Sequence, residues 1–355
     1  MRIATIVGAR PQFIKAAVVS RALRNYPKVE ELIIHTGQHH DPDMSDVFFR
    51  EMEIPPPAYN LGIHSLQHGA MTGQMLEQTE RILIALQPDL VIVYGDTNST
   101  LAGALAASKL QIPIAHVEAG LRSFNMQMPE EQNRILTDRL SAFLFCPTKN
   151  SVSNLKKEGY PYKGMRIELS GDVMQDAAFY YAETSQKKSS VISTLGCSEF
   201  ILCTLHRAEN TNQPDRLKSI VSALNEIHTD CPVVLPLHPR TKKELEKLGL
   251  QLNVKIIHPV GYFDMLELLK NCSAVITDSG GLQKEAFFFH RHCITLRDET
   301  EWTELVDGGF NMLAGSDTGN ILNCWKTIKS KTSNFNIDLY GGGNASGRIV
   351  DCLLG

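Results

Sequence analysis

The segment Ala274-Val275-Ile276-Thr277-Asp278-Ser279-Gly280-Gly281-Leu282-Gln283-Lys284-Glu285-Ala286 has the makings of an anion cradle. An apolar run ends at Asp278, and Ser279, Gly280 and Gly281 then turn into a helical pattern. Glycines at a strand–helix turn let backbone N–H groups approach a phosphate closely, and the helix N-terminus adds a favourable dipole. Glu285, four residues beyond Gly281, is placed to accept hydrogen bonds from ribose hydroxyls, as acidic residues do in dinucleotide folds.

Further charged residues follow other apolar runs. Arg10 and Lys15 flank the start of a helical pattern in Gly8-Ala9-Arg10-Pro11-Gln12-Phe13-Ile14-Lys15, a second place suited to an anion. Pro11 suits a first helical position there. The plain alternative is a turn carrying two solvated cations. Asp96 follows Leu90–Gly95 and reads equally well as a helix N-cap. Glu118 ends the apolar run Ile112–Val117, where a capping role explains it less well. Glu130 and Glu131 suit the first turn of a helix, and Arg134 shares a face with Glu130, as a simple surface ion pair would. His206 ends another apolar run beside Arg207, which raises it above a lone structural histidine. The turns together suggest a phosphorylated ligand.

These residues need elements to position them. Strand-like runs occur as IATIVG, ELIIHTG, LVIVYGD, IPIAHVE and FLFCPT in the first half, and as RIELSG, FILCTLH, PVVLPLH, VKIIHP, AVITDSG and CITLRDE in the second. Helical patterns fill the gaps, among them Gln67–Leu86, Leu101–Leu110, Glu130–Leu140, Arg216–His228 and Met265–Leu269. Near-continuous apolar strands alternating with helices predict parallel sheets covered on both faces, hence an α/β fold of doubly wound, Rossmann-like domains. The series restarts near residue 170, which predicts domains over 1–170 and 171–343 facing across a cleft, with a helix over 344–355 packing back on the first.

Composition agrees. With 355 residues, two cores are expected rather than one. A net charge of -4 argues against a nucleic-acid partner. No apolar run has the length of a membrane helix, and the N-terminus reads as a strand rather than a signal peptide, so a cytoplasmic protein is expected. The eight cysteines are scattered without a CxxC pair and read as buried free thiols. His39-His40 and the pair His290 and His292 lack a ligand set, so no metal is expected.

Together, VGARPQFIK, TGQH, YGDTNST, HVEAGLR, PEEQNR, LHRAEN and TDSGGLQKEA, with RDETE and GGGNAS beyond, resemble the non-hydrolysing UDP-N-acetylglucosamine 2-epimerases. The stretches cover nearly the whole chain in the family's order. The hydrolysing relatives begin with a different motif from Gly8-Ala9-Arg10-Pro11. The resemblance implies a glycosyltransferase-B-like pair of Rossmann domains, no cofactor, a UDP-sugar ligand and, as is usual in the family, a homodimer. It implies elimination of UDP from carbon 1, removal of the carbon-2 proton to leave a bound 2-acetamidoglycal, return of the proton on the other face, and re-addition of UDP to carbon 1. It assigns Asp96, Glu118 and Glu130 to proton transfer and ring-charge stabilisation, with His206 assisting. It gives the UDP to Arg10, Lys15, Arg207, Ser279, Gly280, Gly281 and Glu285, and the orientation of the carboxylates to Arg134.

Three departures stand out. The usual T-E-R-P-E is Thr300-Glu301-Trp302-Thr303-Glu304, which removes a nucleotide-contacting arginine. TGQH continues as His40-Asp41-Pro42-Asp43-Met44, which puts the allosteric substrate site of many bacterial members in doubt, and the loop before Pro129 is slightly short. All three resemble a subgroup acting on UDP-2,3-diacetamido-2,3-dideoxyglucuronate. A uronate calls for an extra cation, for which Arg122, Arg207 or Arg240 with His238 are candidates. Two other classes compete. A glycosyltransferase of the same fold would need an acceptor site, and no basic or apolar patch suggests one. A non-catalytic nucleotide-sugar binder would leave Asp96, Glu118, Glu130 and His206 without a task.

Overall fold

The computed structural model describes residues 1–39, 49 and 51–355. The departure at His40-Asp41-Pro42-Asp43-Met44 lies outside them. The chain divides into two compact units, Met1–Phe179 with Asp338–Gly355, and Tyr180–Ile337.

Among the described residues, the first unit holds a seven-stranded sheet in the order β3-β2-β1-β4-β5-β6-β7. Its strands are β1 (Arg2–Val7), β2 (Glu30–His35), β3 (Tyr59–Asn60), β4 (Leu90–Tyr94), β5 (Ile114–Val117), β6 (Phe143–Cys146) and β7 (Arg166–Leu169). Every pairing is parallel. All residues of β4 and β5 are buried, as strands covered by helices on both faces must be. The run RIELSG, read as opening the second strand series, instead pairs with β6 as the edge of this sheet, and two of its four strand residues are exposed.

Helices Arg10–Leu23, His68–Leu86, Asn98–Lys109, Pro129–Leu140 and Lys149–Lys157 fall between these strands. The last helix, Ala345–Leu354, belongs to the same unit. Its N-terminus is capped by Asp176, which accepts from the backbone of Ala345 and Ser346 at 2.9 and 2.7 Å. Tyr26 ties it down further, donating to Asp351 at 2.7 Å.

The second unit holds a six-stranded sheet in the order β10-β9-β8-β11-β12-β13, again parallel throughout. Its strands are β8 (Ile201–Thr204), β9 (Val233–Pro236), β10 (Lys255–Ile257), β11 (Ala274–Thr277), β12 (His292–Thr295) and β13 (Asn311–Leu313). One core packs Ile201, Cys203, Val233, Leu235, Ile276 and Ile294 against the helices Pro214–Asp230 and Thr318–Lys329. Each buried aliphatic side chain contributes roughly 1.5–3 kcal/mol.

In both sheets the strand order reverses beside the first strand, between β1 and β4 and between β8 and β11. Open α/β sheets bind ligands beyond the carboxyl ends of the strands at such a switch point. No helix among the described residues is long and apolar enough to cross a membrane. Cys272 and Cys293 are free and buried, and burial pushes both thiols up to about 12, far from a nucleophile's range.

Candidate active site

In the first unit, the β1 turn is built around Gln12. Its buried amide oxygen accepts from Gly8 and Ala9 N–H at 2.8 and 3.0 Å, and its Nε2 donates to Tyr94 O and Thr100 Oγ1 at 2.8 and 2.9 Å. One side chain thus fixes the ends of both switch-point strands. Arg10 opens the helix and Pro11 is its second residue; the Arg10 N–H donates to His39 Nδ1 at 3.0 Å.

Lys15, expected at a phosphate, is bonded in this structure to Glu118 Oε2, and both side chains are almost fully buried. Glu118 has a φ of 74°, in the left-handed region. Such a backbone costs a non-glycine residue about 1–3 kcal/mol and persists where the surroundings impose it. Here Glu118 and Ala119 N–H both donate to Phe145 O, at 3.1 and 3.0 Å. The turn after β4 packs against this pair: a Cβ on Gly95 would lie 3.2 Å from Lys15 Nζ and 3.3 Å from Glu118 Oε2.

Asp96 follows that glycine. The N-cap of the next helix is Thr97, so the capping alternative for Asp96 falls away. Arg134 holds Asp96 Oδ2 through Nε at 3.1 Å and Nη2 at 2.6 Å. Its Nη1 donates to Glu131 Oε2 at 2.8 Å. The surface pair with Glu130 is thus replaced by two inward contacts. Glu130 itself is exposed on the first helical turn. Glu131, which the sequence offers only as a first-turn charge, is fully buried and also accepts from Ser123 N–H at 2.9 Å and Phe124 N–H at 2.9 Å.

Beneath these turns lies a buried network. His116 Nε2 lies 2.7 Å from Gly95 O, and His116 Nδ1 lies 2.7 Å from Asp138 Oδ1. Asp138 also accepts from Gly120 N–H at 3.2 Å and from Arg122 Nη1 at 2.7 Å. Burial by itself would raise the Asp138 carboxyl, but His116 and Arg122 hold it below the ordinary carboxylate range. Arg122 forks onto Glu158 through Nε and Nη2, both at 2.7 Å. It is therefore a structural cation, and the suggestion that it meets a uronate is corrected.

In the second unit, Asp278 is the organiser. Fully buried, it accepts from His206 N–H at 3.0 Å, Arg207 N–H at 2.9 Å and Asn210 Nδ2 at 3.4 Å. His206 Nδ1 lies 3.2 Å from its Oδ1, and the rest of that ring is partly exposed. Ser279 caps the helix Gly280–Phe288 by accepting from Leu282 N–H at 3.4 Å. The first-turn N–H groups of Gly280 and Gly281 have no acceptor within the helix. A Cβ on Gly280 would lie 3.8 Å from Arg207 Nη2 and 3.9 Å from Arg297 Nη1. Arg207 thus flanks the glycine turn with a guanidinium suited to a phosphate, while Arg297 lies as near but is engaged by Glu301. Glu285 is buried on the same helix.

Sequence reasoning missed Arg297. It is 1% exposed and bidentate with Glu301 at 2.9 and 3.2 Å. Its i,i+4 spacing to Glu301 looks like a surface pair, and only burial shows otherwise. Trp302, standing where the family usually has arginine, is buried beneath Lys284, whose Nζ lies 4.0 Å from the ring centroid. The Lys284 ammonium thus rests on an indole face at a position where the family usually has arginine.

The family profile for UDP-N-acetylglucosamine 2-epimerase matches residues 21–354. The chain is 56% identical over 354 residues to a Pseudomonas aeruginosa UDP-2,3-diacetamido-2,3-dideoxy-D-glucuronate 2-epimerase, covering 99% of each chain. It is similar to the crystal structure of Methanocaldococcus jannaschii UDP-GlcNAc 2-epimerase in complex with UDP-GlcNAc and UDP, at a TM-score of 0.93 and 42% identity over 99% of each chain. It is also similar to UDP-GlcNAc 2-epimerase from Neisseria meningitidis bound to UDP-GlcNAc, at a TM-score of 0.89 and 32% identity over 100% of each chain.

Proposed function

The chain belongs to the UDP-N-acetylglucosamine 2-epimerase family and is an epimerase, and on that premise we propose that it inverts carbon 2 of a UDP-2-acetamido sugar by eliminating and re-adding UDP. The carbon-2 hydrogen has no carbonyl neighbour to acidify it, so direct proton exchange is too slow. Breaking the carbon-1 to oxygen bond first leaves the electron pair on UDP and positive charge on the ring. A carboxylate then takes the carbon-2 proton, the C–H electrons close the double bond, and a 2-acetamidoglycal remains. Protonation from the other face and return of UDP to carbon 1 complete the inversion.

The observation that carries this reading is that Asp96 follows the switch-point strand β4, Glu118 follows its neighbour β5, and each is held by a buried cation, Arg134 and Lys15. They act beside the ring, with Glu130 as the third carboxylate. Preorganised charge of this kind stabilises a developing cation without reorganisation cost. The second unit holds the diphosphate through Arg207, Ser279, Gly280 and Gly281, with Glu285 on the ribose and His206 beside the leaving phosphate. Arg10 adds a cation in the first unit. The enzyme acts in the cytoplasm as a homodimer.

The substrate best supported is UDP-2,3-diacetamido-2,3-dideoxyglucuronate, a precursor of surface polysaccharide. The identity to the Pseudomonas aeruginosa enzyme and the Lys284–Trp302 pair support it. Arg207 or Arg240 supplies the uronate cation, Arg240 standing beside Asn212 at 2.9 Å. UDP-N-acetylglucosamine is the second reading, supported by the likeness to the enzyme whose structure holds it. Parallel kcat/KM measurements on both sugars decide between them. A preference of at least about 100-fold for the uronate is expected; equal or reversed preference favours the second reading.

A further inference from the structure

We propose that Asp138 and His116 are positioning residues that set the two carboxylate-bearing turns against each other; this rests on the reading that Asp96 and Glu118 act on the sugar. The two turns follow neighbouring strands, β4 and β5, and the backbone bond from Gly95 N–H to Val117 O at 2.9 Å joins them at their base. His116 lies on β5, two residues before Glu118, and reaches sideways to the carbonyl of Gly95, the residue before Asp96. Asp138 takes the other ring nitrogen and also the N–H of Gly120, two residues beyond Glu118. One chain of bonds, Gly95 O to His116 to Asp138 to Gly120 N–H, therefore closes a bracket around both carboxylates.

Each partner leaves little freedom. A backbone carbonyl only accepts, so His116 Nε2 donates to Gly95. His116 Nδ1 faces the Asp138 carboxylate, and Arg122 and Glu158 complete the array. His116, Asp138 and Arg122 are buried, while Glu158 reaches the surface with 32% of its side chain exposed. Gly120 must remain glycine: at a φ of 76° a Cβ would come 2.5 Å from Ser151 O. The left-handed backbone of Glu118 is clamped from both ends by this bracket and by the Phe145 carbonyl.

The test is Asp138→Asn in the full-length enzyme, assayed for kcat and KM beside Asp96→Asn and Glu118→Gln. The amide preserves shape but cannot accept from His116, Gly120 and Arg122 together. A small displacement of the carboxylates lowers kcat roughly 10- to 100-fold while KM stays within about threefold. Wild-type kcat in Asp138→Asn, with Asp96→Asn and Glu118→Gln inactive, overturns the proposal. Full activity in Asp96→Asn and Glu118→Gln instead overturns the underlying reading, whatever Asp138→Asn does. Should Asp138→Asn fail to fold, His116→Gln and His116→Leu decide. The Gln amide can still donate to Gly95 O, so it should retain at least about tenfold more kcat than Leu; equal loss in the two folded variants overturns the bracket.

Discussion

Arg134 grips one oxygen of Asp96 with two nitrogens, Nε at 3.1 Å and Nη2 at 2.6 Å, while its remaining nitrogen holds the buried Glu131. A planar fork is needed for this, because lysine offers a point charge that cannot span both carboxylates. Arg134→Lys should therefore lower kcat by about 100-fold, with a smaller change in KM. Steady-state kinetics check it; an unaltered kcat would show that Asp96 needs no such hold.

Asp278 plays the corresponding part in the second unit, but for backbone. Asp278→Ala leaves the N–H groups of His206 and Arg207 without their acceptor. Losing a buried carboxylate acceptor costs about 2–4 kcal/mol. The expected result is a lower urea midpoint together with UDP affinity reduced at least about tenfold by calorimetry. Weakened stability with undiminished UDP binding would remove the 206–210 loop from the nucleotide site.

The Lys284–Trp302 stack predicts a coupled pair of substitutions. Trp302→Arg would place a second cation beside the buried Lys284 ammonium. Two like charges that close in a buried setting should cost roughly 3 kcal/mol. Adding Lys284→Glu supplies a partner and should recover much of the loss. A double-mutant cycle of unfolding free energies measures this directly, and strict additivity would mean that the two side chains do not interact.

His292 gives a pH dependence with a defined sign. Its ring is buried 5.0 Å from that of Phe335, and neither nitrogen finds a hydrogen-bond partner among the described residues. Burial, with a smaller contribution from Lys331, lowers its proton affinity in the folded state. The ring is neutral in both states above the ordinary histidine value of about 6.5. As pH falls through that value the unfolded chain takes up the proton first, so stability is lost until the folded ring also titrates. His292→Phe should lose less stability than wild type between about pH 7 and pH 5 in urea titrations. Identical pH profiles would contradict this.

The turns that carry chemistry were legible because each follows a strand buried on both faces and so announces itself as an unbroken apolar run. Strand order was not legible: nothing local says that β1 pairs with β4, or β8 with β11, yet those pairings bring Gln12 to Tyr94 and His206 to Asp278. The strands Tyr59–Asn60 and Asn311–Leu313 were too short to leave a period. Glu131 reads as an ordinary first-turn charge, and nothing local singles out Asp138 or Arg297. Their importance comes from complete burial, which depends on neighbours far away in the chain. Glu118 looked unusual from its apolar strand alone, and its backbone explains why.

The central claim is that carbon 2 is inverted through loss of its proton while UDP stays with the enzyme. Proton NMR in deuterated water, with UDP-2,3-diacetamido-2,3-dideoxyglucuronate and separately with UDP-N-acetylglucosamine, tests it most directly. The predicted result is an epimer that carries deuterium at carbon 2 with the sugar–UDP bond intact, formed by wild type and lost in Asp96→Asn and Glu118→Gln. Epimerisation with carbon-2 hydrogen retained, release of free sugar, or turnover of neither substrate would contradict it.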